Sequence, residues 1–71
     1  MLRNNIEVDV KVKCIEAGVT QAKLAEMVET TPSYVNRLIK KQESIVNRTF
    51  IQMMERLGYD VEVTYVKQEE I

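Results

Sequence analysis

Apolar residues recur along this chain with two different periods, and the changes of period mark out its elements. From Thr20 to Val28 the residues TQAKLAEMV bring Leu24, Ala25 and Val28 to one side at helical spacing, behind a threonine whose oxygen can accept from the orphan amides of a helix start. The next punctuation is Thr31-Pro32. A residue before proline is pushed out of the helical region and proline suits the first helical position, so a second helix is predicted to begin at Pro32 and run to about Lys40. Its apolar positions Val35, Leu38 and Ile39 face inward and leave Ser33, Asn36, Arg37 and Lys40 outward. Beyond a polar linker from Lys41 to Ser44, a further helix runs to Leu57, with Phe50, Ile51, Met53, Met54 and Leu57 as its inner face and Gly58 as its terminator. It starts either with Asn47 as a cap or with Thr49 and Gln52 as a capping box.

The two ends are read by the other period. Between Asn5 and Ala17, Ile6, Val8, Val10, Val12 and Cys14 alternate like a strand, while Ile6, Val10, Cys14 and Ala17 also fall at helical spacing. Gly18 favours a helix, because it suits a left-handed terminator. The segment from Tyr59 to Val66 alternates cleanly, with Tyr59, Val61, Val63 and Tyr65 on one face, and is expected to be a strand. Unless the N-terminal stretch pairs with it, such a strand has no partner in the chain. Pairing with its own copy in a second subunit is the simplest remedy.

Composition narrows the chemistry. Seventy-one residues, 45% of them hydrophobic and 30% charged, with two glycines and one proline, suit one small globular domain over residues 1–71. A domain of this size buries only about 60% of its unfolded surface, so a partner subunit is expected to add to its stability. Zero histidines and a single cysteine, Cys14, exclude Cys/His zinc spacings, histidine acid/base relays and an intrachain disulfide. No metal, cofactor or small-molecule ligand is expected, and no enzyme activity. Cys14 reads as a small buried apolar residue. No apolar run approaches the ~18 residues of a membrane span, and the start MLRNNIEVDV lacks the apolar block of a secretory signal. A free thiol without an export signal points to the cytoplasm.

The net charge of -1 speaks against nucleic acid until it is resolved along the chain. Residues 31–50 carry Arg37, Lys40, Lys41 and Arg48 against Glu43, a local charge of +3, whereas residues 51–71 carry -3. The chain has a basic middle and an acidic end.

Two short helices joined by three residues have the dimensions of a helix-turn-helix unit spanning 20–40. The wording GVTQAKLAEMVETTPSYVNRLIKK also resembles the core of the Cro/C1-type (XRE-like) repressor family, most specifically at Thr20-Gln21, Leu24-Ala25, Thr31 and Val35-Asn36-Arg37-Leu38. The resemblance covers roughly residues 10–57. It implies a mainly α, four- to five-helix lambda-repressor-like domain that binds duplex DNA as a dimer, with the helix from Pro32 in the major groove and the strand 59–66 pairing across the dimer. Family members commonly have glycine where Glu29 stands, glutamate at Ile39 and glycine near Lys41, which puts the turn and the end of the reading helix apart from the pattern.

Base reading is expected of Ser33, Asn36 and Arg37, since arginine pairs bidentately with guanine and asparagine with adenine. The resemblance implies a phosphate contact for Gln21, where an amide beside a helix start can donate to an anion. Thr31, Lys40, Lys41 and Arg48 are phosphate contacts or caps, and Tyr34 either bonds a phosphate or packs over the linker. Tyr59, Val61, Val63 and Tyr65 are the expected dimerisation residues. The function expected is a homodimeric transcriptional regulator, a repressor acting by occupancy of a palindromic operator. The alternative is a protein-interaction module, an antitoxin-like or adaptor subunit on the same scaffold, which the overall charge of -1 favours.

Overall fold

The computed structural model describes residues 1–69 of the chain. Five helices follow one another: α1 (Ile6–Ala17), α2 (Gln21–Met27), α3 (Pro32–Lys40), α4 (Gln42–Ile45) and α5 (Arg48–Arg56). The ambiguous N-terminal stretch is helical, and the expected polar linker 41–44 contributes to the single turn α4. Four of the starts are closed by a side chain that accepts from a backbone N–H three residues on: Asn5 from Val8, Thr20 from Lys23, Thr31 from Tyr34 and Asn47 from Phe50. Each satisfies one of the donors a helix start leaves without an intrahelical partner. At α5 it is Asn47, rather than the Thr49–Gln52 pair, that fills this role.

Three helix ends close with the same paired bonds. After α1, Cys14 O accepts from Val19 N–H at 2.9 Å and Ile15 O from Gly18 N–H at 3.1 Å, with Gly18 at φ 67°. After α5, Met54 O accepts from Tyr59 N–H at 2.9 Å and Glu55 O from Gly58 N–H at 3.0 Å. After α2, Ala25 O accepts from Thr30 N–H at 2.8 Å and Glu26 O from Glu29 N–H at 3.1 Å. The left-handed residue here is Glu29, at φ 59°, the one non-glycine with positive φ among the described residues. The motif is one that glycine serves at least cost.

The interior is small and belongs to the first three helices. Ile6, Cys14, Ala25, Val35 and Ile39 are buried, and Ala25, Val35 and Ile39 form one cluster with Val10 packed against it. Gln42 Oε1 accepts from Ile6 N–H at 2.7 Å and so joins α4 to the start of α1. Close packing links α2 with α3, α1 with α3, α3 with α4 and α1 with α2.

The fifth helix corrects an expectation. Phe50, Met53 and Leu57, expected in the interior, are 48%, 58% and 69% exposed, and no residue of α5 is buried. The chain leaves α4 through Val46 in extended conformation, and α5 is not among the closely packed pairs. The molecule is correspondingly open. Its radius of gyration is 14.1 Å, against about 11 Å for a compact domain of this length. Its accessible surface is 6100 Å², against about 4,600 Å² for a compact monomer of its mass.

The strand expected over 59–66 is also different. Among the described residues no strand forms; the segment makes one parallel bridge, Val61 with Leu2. Arg3 N–H donates to Val61 O at 2.9 Å and Val61 N–H to Met1 O at 3.3 Å. The ladder stops because the N-terminal chain turns into α1 at Asn5, and the Asn4 side chain substitutes for backbone at the next step. Val63 N–H donates to Asn4 Oδ1 and Asn4 Nδ2 donates to Val63 O, both at 2.8 Å. Residues 1–4, ahead of the stretch that alternates in sequence and folds as α1, are therefore the partner this segment has within the chain.

Candidate nucleic-acid interface

Helices α2 and α3 pack as a pair around Ala25, Val35 and Ile39, joined by residues 28–31, one residue more than the sequence suggests. Because Ala25 has no side chain beyond Cβ and is wholly buried, α3 can seat its apolar seam closely against α2. That seam fixes which residues of α3 face outward. At about 100° per residue around a helix axis, Val35 and Ile39 define the buried direction and Arg37 stands almost opposite it. Ser33 and Lys40 flank Arg37 on the same outward arc, half-buried Asn36 lies to one side, and exposed Tyr34 and Lys41 lie to the other. Of the three expected base readers, Ser33 and Arg37 share the outward arc, with Arg37 at its crest, and Asn36 lies at its margin.

Charge on this arc is left open to a partner. Lys11, Lys13 and Lys23 are each paired along their own helix, with Glu7 at 3.1 Å, Glu16 at 3.4 Å and Glu26 at 3.7 Å. Arg37, Lys40 and Lys41 have no ion pair among the described residues. A cation on α3 that no carboxylate neutralises among the described residues presents its field outward, which is what a polyanion requires. Arg37 instead lies over an aromatic ring: its guanidinium carbon is 5.9 Å from the centre of Tyr34. Tyr34, Arg37, Leu38 and Lys41 line one shallow depression of about 340 Å³.

The remaining expected contacts are spread more widely. Gln21 is half-buried in the first turn of α2. Thr31 is the cap of α3, its Oγ1 accepting from Tyr34 N–H at 3.2 Å, and its own hydroxyl hydrogen is still a donor. Arg48 begins α5 and lines a separate depression with Gln42, Ile51, Gln52 and Glu55, so it does not share the hollow of Tyr34, Arg37 and Lys41.

The residues expected at a dimer contact are mostly engaged within the chain. Val61 and Val63 are half-buried and give their backbone groups to residues 1–4. Tyr65 donates its hydroxyl to Asp9 Oδ2 at 2.9 Å, with Lys13 Nζ 6.0 Å from its ring centre. Partial desolvation, then the Asp9 carboxylate, raises the Tyr65 phenol above its ordinary value. Tyr59 is exposed.

Three features escaped sequence reasoning: the Asn4 clamp, the Gln42 tie to α1, and the Tyr34–Arg37 stack. The last alone had a signal, since residues three apart on a helix are neighbours. An apolar groove of about 310 Å³ between α1 and α2, walled by Val10, Cys14, Ala17, Val19, Leu24 and Met27, also appears only in three dimensions. Among the described residues no cluster of acidic or cysteine side chains could hold a metal, and no helix is long and apolar enough to cross a membrane.

No curated protein and no solved structure matches the chain. A family does: residues 10–63 match the one described as Helix-turn-helix, a stretch that takes in most of α1, the α2–α3 unit and all of α5. With that match covering more than half of its length, and with the α2–turn–α3 geometry in place, the chain belongs to the Cro/C1-type (XRE-like) helix-turn-helix family, a family of DNA-binding transcriptional regulators.

Proposed function

We propose that the protein is a homodimeric, cytoplasmic repressor that reads a palindromic duplex operator through α3. The observation that carries this reading is the outward arc of α3, with Arg37 opposite the buried Val35–Ile39 seam and Lys40 and Lys41 beside it without ion pairs among the described residues. Ser33, Asn36 and Arg37 read base edges, because they stand on the first turns of the helix, where side chains reach into the groove. Gln21, Thr31, Lys40, Lys41 and Arg48 hold phosphates and carry no sequence information.

The dimer is supported by what the monomer leaves uncovered. The surface beyond that of a compact domain, about 1,500 Å² on each chain and so about 3,000 Å² for two copies, is in the size range of obligate homodimer interfaces. Along the segment 59–66, Val61 and Val63 turn their backbone groups toward residues 1–4, so an extended chain turns those of Glu62 and Thr64 to the opposite edge. That edge is the one through which Tyr59–Val66 pairs with a second copy, alongside the exposed Phe50, Met53 and Leu57 of α5. A two-fold dimer of this kind presents two reading helices to half-sites about 34 Å apart. No catalysis is required, since occupancy of a promoter is sufficient.

Enrichment of duplexes from a random pool, followed by anisotropy titration of the enriched and random sequences, tests the reading. A palindromic consensus bound at least ten-fold more tightly than random duplex is the expected result. Binding to no duplex at low salt would discard it in favour of a protein-interaction module, for which the exposed apolar face of α5 is the feature in favour.

A further inference from the structure

Two roles are open to Tyr34, through its hydroxyl or through its ring, and the geometry separates them. Its ring lies one helical turn before Arg37, with the guanidinium carbon 5.9 Å from the ring centre. Tyr34 is 46% exposed, and its hydroxyl makes no hydrogen bond among the described residues. Arg37 has no carboxylate partner there either, so the ring is the contact that restricts where its guanidinium goes. A guanidinium within about 6 Å of an aromatic centre is attracted by the negative face of the ring. An arginine side chain free in water samples many rotamers, and the planar fork that matches a guanine edge is useful only when aimed. The stack sits on the wall of the depression shared by Tyr34, Arg37, Leu38 and Lys41, on the outward arc of α3.

We propose that Tyr34 is a positioning residue, whose ring and not its hydroxyl holds Arg37 in the orientation that presents its paired N–H donors to guanine O6 and N7. This rests on the reading of Arg37 as a base reader. Removing the ring lets the guanidinium disperse over its rotamers and weakens recognition of that one guanine, while contacts to phosphates are unaffected.

The test uses the full chain, an enriched duplex, the same duplex with single guanines replaced by 7-deazaguanine, and a random duplex. Affinities are measured for the wild type, Tyr34→Phe, Tyr34→Ala, Arg37→Ala and Tyr34→Ala/Arg37→Ala, with helical circular dichroism confirming that each is folded. Tyr34→Phe is expected to stay within about two-fold of wild type, because phenylalanine keeps the ring. Tyr34→Ala is expected to lose roughly two- to five-fold for each half-site on the enriched duplex, none on random duplex, and most of its sensitivity to the 7-deaza substitution. On the Arg37→Ala background the same change is expected to have no further effect. A Tyr34→Phe chain weakened as much as Tyr34→Ala on enriched and random duplex alike would assign Tyr34 to a phosphate and overturn the proposal. So would a full additional loss in the double variant. An Arg37→Ala chain that keeps its sequence preference overturns the base-reader reading itself, and the positioning role with it.

Discussion

Replacing Glu29 by glycine should stabilise the protein, against the usual sign of a change to glycine. Glu29 holds φ 59° while donating its N–H to Glu26 O at 3.1 Å, and the next N–H, of Thr30, reaches Ala25 O at 2.8 Å. These bonds end α2 and set the angle at which the chain enters α3, so the left-handed conformation is retained whatever residue stands there. A residue with a Cβ is strained in it by roughly 1–2 kcal/mol. Glycine escapes that strain but loses about 0.5–1 kcal/mol more in conformational freedom on folding. The difference is a gain of about 0.5–1 kcal/mol, which for a domain of this size raises the melting temperature by roughly 2–8 °C. Glu29→Gln and Glu29→Ala separate strain from charge, because both keep the Cβ and remove the carboxylate. If strain dominates, neither matches the gain of glycine. Thermal unfolding by circular dichroism and urea titration at fixed protein concentration would measure all four chains. A glycine variant no more stable than wild type, or an alanine variant that gains as much, would refute the argument and remove the left-handed turn as a source of strain. The turn geometry is unchanged by glycine, so sequence preference on DNA should be kept.

Arg37→Ala should lower affinity for the enriched operator by about 1–3 kcal/mol for each half-site while leaving thermal stability within experimental error; unchanged operator affinity would strike Arg37 from the base readers. Lys40→Ala should weaken enriched and random duplexes alike and reduce the slope of log K against log salt by about 0.9 for each half-site, about 1.8 for the dimer, whereas a loss confined to the enriched site would contradict a phosphate role. Asn4→Ala leaves both Val63 backbone groups without their 2.8 Å partners and should destabilise the docked C-terminal segment by about 1–3 kcal/mol, seen as faster amide exchange at Val61 and Val63; unchanged exchange would mean the clamp does not hold it. Deleting residues 59–71 should leave a helical monomer with most of its DNA affinity gone, and sedimentation showing a persistent dimer would move the interface to α5 alone.

The sequence by itself determined where α2 and α3 begin and where α1 and α5 end, and the reason is local chemistry. Thr20, Thr31 and Asn47 mark helix starts because their side chains accept from amides only three residues away, and Pro32, Gly18 and Gly58 act through their own φ angles. The outward arc of α3 was legible too, since the spacing of Val35 and Ile39 alone tells which side of a helix turns away from the core. What depended on distant parts of the chain was not legible. The periodicity of Phe50, Met53 and Leu57 shows that α5 has an apolar face but not what covers it, and only the tertiary structure shows that α1–α3 do not. The alternation of Tyr59 to Val66 shows extended chain but not its neighbour. The neighbour is Leu2 to Asn4, some sixty residues earlier in sequence, and the bridge stops after one step because Asn5 is already committed to capping α1. The Tyr34–Arg37 stack lies between these cases: helical spacing permits the contact, and side-chain rotamers chosen by the surrounding surface decide whether it forms.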